Sequence, residues 1–357
     1  MTTLLPMPRL PGRPAVRAAG ARAEPVALTD AYGRTATDLR VSLTDRCNLR
    51  CTYCMPPEGL EWLPTQELLT DAEILRLVGI GVRMLGITTV RLTGGEPLLR
   101  KNLEQLVANL ATLEPRPTLA LTTNGIGLAP RADALAAAGL NRINISLDTL
   151  DPDTFVRLSR RRRLPDVLAG VAAARRAGLQ PVKINTVLMR GVNDHEAYDL
   201  LRWAMAEDVQ LRFIEQMPLD AQHAWQRTEM ITADEIRAAL GRHASLVEDP
   251  EHAATRGSAP AELFRIAGTN YSVGIIASVT KPFCGACDRV RLTSDGQVRN
   301  CLFSRSESDL RGPLRQGASD EDLAARWVAA VAGKRPGHDI DDPSFLQPDR
   351  PMSAIGG

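Results

Sequence analysis

From Leu39 to Ile214 the chain repeats one pattern, a short apolar, β-branched run followed by a longer amphipathic Ala/Leu-rich run. Runs of the first kind read as strands and of the second as helices. Strands are expected at Leu39–Leu43, Thr89–Leu92, Leu119–Thr122, Arg142–Ser146, Val182–Val187 and Gln210–Ile214. Helices are expected near Asp71–Leu85, Leu103–Leu113, Arg131–Ala138, Pro165–Ala177 and Asp194–Ala206. Thr70 to Glu73 has the form of a capping box, and Gly139 and Gly178 fall where helix ends need left-handed backbone. Six strand–helix units in succession imply parallel strands with right-handed crossovers, hence a partial or open barrel. An open doubly wound sheet fits the same rhythm.

Polar residues gather where these strands end: Thr44-Asp45, Thr93 to Pro97, Thr122 to Gly125, Ser146 to Asp148 and Glu215 to Met217. Any one such loop is ordinary turn chemistry. Five together mark the C-terminal face of a parallel barrel, where such folds place their chemistry. Beyond Met217 the rhythm stops. Pro218–Arg227 reads as a linker, Ile231–Leu240 as a helix and His252–Ala261 as a loose polar loop. Leu263–Ile266, Tyr271–Val279, Arg289–Leu292 and Val298–Phe303 read as antiparallel strands, and Ser319–Ala332 as a last helix. Three regions follow: a disordered Arg/Pro-rich lead-in (1–27), the barrel (28–217) and a C-terminal domain with a Gly-Gly tail (218–357). A formal charge of +1, from 43 basic and 42 acidic residues, gives no sign of a nucleic-acid or membrane-surface binder. With no export signal and no apolar run of ~20 residues, the expected location is the cytoplasm.

The six cysteines form two triplets, Cys47/Cys51/Cys54 and Cys284/Cys287/Cys301. The first, CNLRCTYC, crowds three thiols into eight residues, too tight for separate disulfides and one ligand short of a closed zinc site. Three thiolates can hold three corners of a [4Fe–4S] cluster and leave one iron open. A zinc ion borrowing a distant fourth ligand is the alternative. In the second triplet, Asp295-Gly296 reads as a two-residue hairpin turn that pairs Thr293 with Val298 and Val290 with Cys301. Paired strands lie about 5 Å apart, so Cys301 returns beside Cys284 and Cys287. None of the five histidines is spaced to complete either set.

CNLRCTYC resembles the signature of radical S-adenosylmethionine (SAM) enzymes, whose open iron chelates SAM. With CGAC and Cys301, the constellation resembles the GTP 3′,8-cyclase family, which acts first in molybdenum cofactor biosynthesis. The likeness runs from about Leu28 to Gly357 and includes LTDAYGR, LRVSLTDRCNLRCTYCMP, VRLTGGEPLLR, LTTNG, NISLD, VKINTVLMRGVND, LRFIEQM, FCGACDRVRLTSDGQVRNCLF and the terminal Gly-Gly. It implies a partial (β/α)6 TIM-type barrel of the radical SAM kind, extended at the C-terminus by helices and antiparallel strands that carry a second Fe–S cluster. The implied cofactors are two [4Fe–4S] clusters and SAM. The implied reaction converts GTP to (8S)-3′,8-cyclo-7,8-dihydroguanosine 5′-triphosphate. A 5′-deoxyadenosyl radical takes the ribose 3′ hydrogen, the C3′ radical attacks guanine C8, and the second cluster's open iron holds the base. The resemblance further implies a homodimer, an electron donor such as flavodoxin or ferredoxin, and delivery of the product to cyclic pyranopterin monophosphate synthase.

The same resemblance assigns SAM to Tyr53, Gly95, Ser146 and Met217. It assigns the nucleotide to Arg40, Arg91, Thr122, Lys183, Arg289, Val290 and Arg291, with Arg40, Arg289 and Arg291 also catalytic. Each has a physical logic. Gly94-Gly95 frees backbone groups to approach the ligand, Ser146 suits a ribose or carboxylate, and Tyr53 and Met217 offer surface to adenine. Strand alternation puts Lys183 on one face with Asn185, and Arg40 with Ser42 and Thr44. A cation inside a barrel needs an anion, either the triphosphate or a carboxylate such as Asp148 or Glu215. Arg212 is a further phosphate candidate, but it is out of phase with Met217. Asp288 stands where the family carries Asn, which would set a carboxylate beside an anionic substrate. Two rival readings are a peptide-modifying radical SAM maturase with an auxiliary cluster and, from another class, a zinc-bound interaction module or simple electron carrier.

Overall fold

The computed structural model describes residues 25–342 and 345–356. The lead-in therefore lies largely outside the described residues, as does Gly357. Where the lead-in ends, the Val26 N–H donates to the Met84 carbonyl at 2.8 Å and Leu28 is fully buried.

The repeating part begins with β1 (Asp38–Ser42), α1 (Asp71–Met84), β2 (Thr89–Thr93), α2 (Leu103–Ala111), β3 (Thr118–Thr123), α3 (Ala132–Ala137) and β4 (Arg142–Ser146). It continues through α4 (Pro152–Ser159), α5 (Leu164–Arg176), β5 (Val182–Val187), α6 (Ala197–Ala206) and β6 (Gln210–Ile214). The expected strands lie within one residue of those observed. The capping box is present: the Glu73 N–H donates to Thr70 Oγ1 at 3.2 Å, and Glu73 Oε2 accepts from the Thr70 N–H at 2.8 Å. Gly139 and Gly178 have φ of +105° and +73°, the left-handed backbone expected at those ends. Helix α4 was not anticipated, though its signal is local. Asp151 caps it by accepting from the Thr154 N–H at 2.7 Å, and Pro152 opens it.

The C-terminal part adds α7 (Ala233–Gly241), β7 (Leu246–Glu248), α8 (Pro250–Thr255), β8 (Glu262–Ile266) and β9 (Ser272–Ile276). It closes with β10 (Arg289–Leu292), β11 (Gln297–Arg299), β12 (Ser308–Asp309), α9 (Arg311–Arg315), α10 (Asp320–Ala332) and α11 (Met352–Ile355). The antiparallel expectation holds only in part. Pairs β7·β8, β8·β9, β10·β11 and β11·β12 are antiparallel, but β9 lies parallel to β6 and β10 parallel to β1. The sheet order is β12-β11-β10-β1-β2-β3-β4-β5-β6-β9-β8-β7, so the barrel wall has two more parallel strands than the rhythm implied. Pro218–Arg227 is also more than a linker, because Leu219 and Asp220 are buried and the Ala221 N–H donates to the Cys54 carbonyl at 3.2 Å.

An apolar layer of helices holds this wall from outside. Ile74, Leu77 and Val78 of α1 and Leu106, Val107 and Leu110 of α2 pack on the outer face of the strands. Each such side chain, fully buried, stabilises the fold by roughly 1.5–3 kcal/mol. On the inner face, Arg212 of β6 is electrostatically coupled to Arg91 of β2 and Arg289 of β10. Strands at opposite ends of the sheet thus face one another, which a curled barrel allows and a flat doubly wound sheet does not.

Candidate active site

Every second residue of the central strands points into one cavity of about 610 Å³. Arg40 of β1, Arg91 of β2, Thr122 of β3, Ser146 of β4, Lys183 of β5 and Arg212 of β6 all line it. All six cysteines line it too, and all six are free.

The first triplet follows the C-terminal end of β1. Its loop is pinned from within, the N–H groups of Cys54 and Met55 donating to the Cys51 carbonyl at 2.9 and 3.0 Å. It is pinned from α4 as well, where the Ser159 and Leu158 carbonyls accept from the Arg50 and Thr52 N–H groups at 3.0 and 2.9 Å. On the other side lies Gly95. A Cβ there would sit 2.2 Å from the Arg46 carbonyl oxygen and 2.5 Å from that of Asp45. The glycine is needed first so that two loops can touch, and only through that contact does it shape the cavity. Burial pushes the Cys47 thiol up to about 11 and the Cys54 thiol to about 12, and it raises Cys51 as well. Such thiols become thiolates when a cationic centre takes their protons' place, so this donor set suits a metal cluster.

Cys284 and Cys287 precede β10, and Cys301 follows β11. Since Asp38 of β1 pairs with Arg289 in parallel, this triplet lies beyond the N-terminal end of the strands, across the barrel from the first. The connecting hairpin is shifted by one residue in register from the expected two-residue turn, so that Cys301 does not pair with Val290. Leu292 pairs with Val298 and Arg291 with Arg299, around a three-residue loop whose Gly296 has φ of +80°. A left-handed glycine closing a three-residue hairpin makes a bulge, which the Asp-Gly pair alone does not distinguish from a two-residue turn. Burial would raise the Cys287 thiol, yet Lys334 and Arg289 outweigh it and hold the thiol below its ordinary value. Among the described residues no three His, Cys, Asp or Glu side chains converge on the position of a single ion. Each triplet offers three free thiols, a donor set that suits an iron–sulfur cluster.

Between the triplets stands a wall of cations. Burial, then neighbouring like charge, pushes Lys183 down to about 8 and Arg212 to about 9, and burial pushes Arg291 to about 10 against the attraction of Cys301 and Cys287. It drives Arg40 well below its ordinary value and lowers Arg91 too, against the attraction of Asp38. Buried guanidinium nitrogens of Arg40, Arg91, Arg142 and Arg289 have no hydrogen-bond partner. The carboxylates that could have neutralised Lys183 are otherwise engaged. Asp148 accepts from the Tyr53 hydroxyl at 2.6 Å and the Val187 N–H at 2.9 Å. Glu215 accepts from the Ala233, Val279 and Thr280 N–H groups at 2.7–2.9 Å, tying β6 to the C-terminal part. Such a wall is electrostatically suited to an anionic ligand.

Of the residues proposed for ligands, Tyr53, Gly95, Ser146, Met217, Arg40, Arg91, Thr122, Lys183, Arg289 and Arg291 all line the cavity. Val290 does not. It is fully buried in the core on the opposite face of β10, so only its backbone is near the site. Asp288 lines the cavity as well, its Oδ2 accepting from Ser258 Oγ at 2.8 Å and Thr37 Oγ1 at 3.2 Å. The reading of single residues missed Arg142 and undervalued Arg212, although Arg142 alternates in phase with Ser146. Arg212 is in phase with Ile214, and its offset from Met217 meant nothing because β6 ends at Ile214. Arg256 and Ser258, from the supposedly loose loop after α8, also line the cavity, as does Asn124, whose Nδ2 lies 3.9 Å from Cys47 Sγ. The tail is packed inside the barrel mouth. Ser353 and Ile355 are buried, a Cβ on Gly356 would meet Ser42 Oγ at 2.6 Å, and Arg291 Nη1 donates to the Gly356 carbonyl.

A curled parallel wall bearing CxxxCxxC after its first strand defines the radical SAM class, and residues 41–204 match the Radical SAM superfamily model. Residues 209–340 match the model described as Molybdenum Cofactor Synthesis C. Solved structures share the fold at low identity. One is SuiB of Streptococcus suis bound to S-adenosylmethionine, with a TM-score of 0.58 and 13% identity over 85% of this chain and 69% of that one. Another is anSMEcpe with bound AdoMet, with a TM-score of 0.55 and 15% identity over 87% and 81%. Among curated relatives, the GTP 3′,8-cyclase of Streptomyces coelicolor is 62% identical over 92% of this chain and 96% of its own. That of Mycolicibacterium smegmatis is 60% identical over 92% of each. The chain belongs to the GTP 3′,8-cyclase family.

Proposed function

We propose that this protein is a radical SAM lyase that converts GTP to (8S)-3′,8-cyclo-7,8-dihydroguanosine 5′-triphosphate for molybdenum cofactor biosynthesis. The observation that carries this reading is the single cavity bounded by two cysteine triplets with an unneutralised cationic wall between them. Cys47, Cys51 and Cys54 would hold the cluster that binds SAM, and Cys284, Cys287 and Cys301 a second [4Fe–4S] cluster that receives the guanine. When bound, the first cluster and SAM supply the 5′-deoxyadenosyl radical that takes the ribose 3′ hydrogen.

The chain's own residues do the positioning. Tyr53, Gly95, Ser146 and Met217 form the SAM end, with Tyr53 fixed by Asp148. Arg91, Lys183, Arg212 and Arg142 offer the triphosphate charge it lacks in the protein, and Thr122 lies among them. Arg40, Arg289 and Arg291, which also line the cavity, would hold the nucleotide in line with the attacking group and keep water out. The Val290 backbone joins the last two. In this reading residues 28–217 carry the radical-generating end and most of the cationic wall, and residues 218–357 add the second triplet with Arg289 and Arg291. Homodimerisation, a flavodoxin- or ferredoxin-like donor, transfer of product to cyclic pyranopterin monophosphate synthase and a cytoplasmic setting complete the proposal. Among the described residues no helix is long and apolar enough to cross a membrane.

The deciding experiment is anaerobic reconstitution followed by turnover with SAM, a reductant and GTP. The expected result is 5′-deoxyadenosine in step with cyclised nucleotide. Uncoupled SAM cleavage with GTP, together with turnover of a peptide, would instead support the maturase reading.

A further inference from the structure

Lys334 is buried, at 5% exposure, immediately after α10. Its Nζ donates to the Cys287 carbonyl at 3.1 Å and the Arg289 carbonyl at 3.0 Å, and it lies 3.4 Å from Cys287 Sγ. Among the described residues no carboxylate is paired with it. A buried ammonium held only by neutral carbonyls costs several kcal/mol unless an anion lies close by. The one group within reach that can carry negative charge is the Cys287 sulfur. Four residues on, the His338 backbone N–H faces the sulfur of Cys284, and the His338 ring lies against Phe303 at 4.9 Å between centroids. The segment leaving α10 therefore lies against two of the three sulfurs of the second triplet.

We propose that Lys334 is a positioning residue for the second cluster, holding a fixed positive charge against the Cys287 sulfur so that the cluster is retained and its reduction potential raised. This rests on the reading that Cys284, Cys287 and Cys301 bind a cluster. The physical basis is general: hydrogen bonds and charge at the ligating sulfurs set the potential of an iron–sulfur centre, because added electron density is stabilised by a nearby cation.

The test uses full-length protein in which Cys47, Cys51 and Cys54 are all Ala, so that the second cluster alone remains. Iron content and a redox titration followed by electron paramagnetic resonance are read for this parent and for Lys334→Met, Lys334→Gln and Lys334→Arg. The parent should hold about four irons per chain, as one [4Fe–4S] cluster requires. Lys334→Met and Lys334→Gln should give a more negative midpoint potential or a several-fold loss of retained iron, while thermal unfolding of the iron-free chains stays the same. Lys334→Arg should restore most of the parent's value, because it keeps the charge. Gln retains a polar head for the two carbonyls, so it serves if Met destabilises the fold. A folded Met or Gln variant with the parent's iron and midpoint potential overturns the proposal. A parent with no iron removes the second-cluster reading itself, and this inference with it.

Discussion

The two cysteine triplets look alike in the sequence but differ in their charged neighbours, although burial raises Cys284 of the second as it raises the thiols of the first. Around the first stand buried carboxyls. Burial pushes Glu96 up to about 7 and Asp148 to about 6, and both add to the rise of the thiols beside them. Around the second stand cations, Lys334 and Arg289, which pull Cys287 the other way. The cavity is thus polarised from end to end. On the proposed reading, a sulfonium-bearing ligand would be favoured near the carboxyls and an anionic nucleotide on the cationic side of the cavity.

The strongest way to break this comparison is to remove one triplet at a time. Cys47, Cys51 and Cys54 changed together to Ala should halve the iron and abolish SAM cleavage. The same change at Cys284, Cys287 and Cys301 should halve the iron but leave SAM cleavage measurable. Equal loss of SAM cleavage in both proteins would show that the ends do not act separately.

Gly95→Val tests the first end alone. Its side chain must displace backbone carbonyls of the cluster loop. Overpacking of that kind costs about 1–3 kcal/mol, so SAM affinity should fall by roughly one to two decades while GTP affinity holds. Isothermal titration of each ligand under anaerobic conditions measures both.

Arg291→Ala tests the second end. A charge-assisted contact is worth roughly 1.5–3 kcal/mol, and GTP affinity should drop by about one to two decades with SAM affinity unchanged. Loss of SAM binding with GTP intact would reverse the two ends. Truncation of Gly356-Gly357 removes the partner of Arg291 rather than Arg291 itself. Turnover should fall about tenfold or more, with iron content and SAM binding unaffected. Full activity would mark the buried tail as packing only.

The smallest effect is a pH dependence. Lys183, pushed down to about 8 by burial and neighbouring cations, is charged below that pH in the free protein. Above it, binding a polyanion must also take up a proton, so GTP affinity should weaken as pH rises through 8, by at most ~10-fold per unit. Lys183→Arg should flatten the profile, because arginine keeps its charge. A wild-type profile flat from pH 7 to 9 would contradict the placement of Lys183 on the phosphate wall.

Local chemistry was legible where it acts locally. The strand limits, the Thr70 capping box and the grouping of cysteines all follow from residues close together in sequence. Helix α4 carries an equally local signal in Asp151-Pro152, a cap followed by a proline at the first helical position. Pairing across long distances was not legible. Nothing within Arg289–Leu292 tells whether it lies parallel to β1 or only antiparallel to β11, because both arrangements present the same alternation. For the same reason the rule that barrel chemistry sits at the C-terminal strand ends located one triplet and not the other. Lys334 could not be seen either. It lies 47 residues from Cys287, and the fold alone brings them together.

The parallel seating of β9 and β10 bears on how this architecture can be taken apart. Ending the chain after Met217 would not release a finished barrel with a module removed. It would strip one neighbour from β1 and one from β6, exposing the backbone of both as open edges for pairing with other chains. The second triplet is correspondingly hard to transplant, since Cys287 is followed within two residues by a strand of the wall itself. A graft of that site onto another scaffold would have to bring β10 and a β1-like strand to receive it.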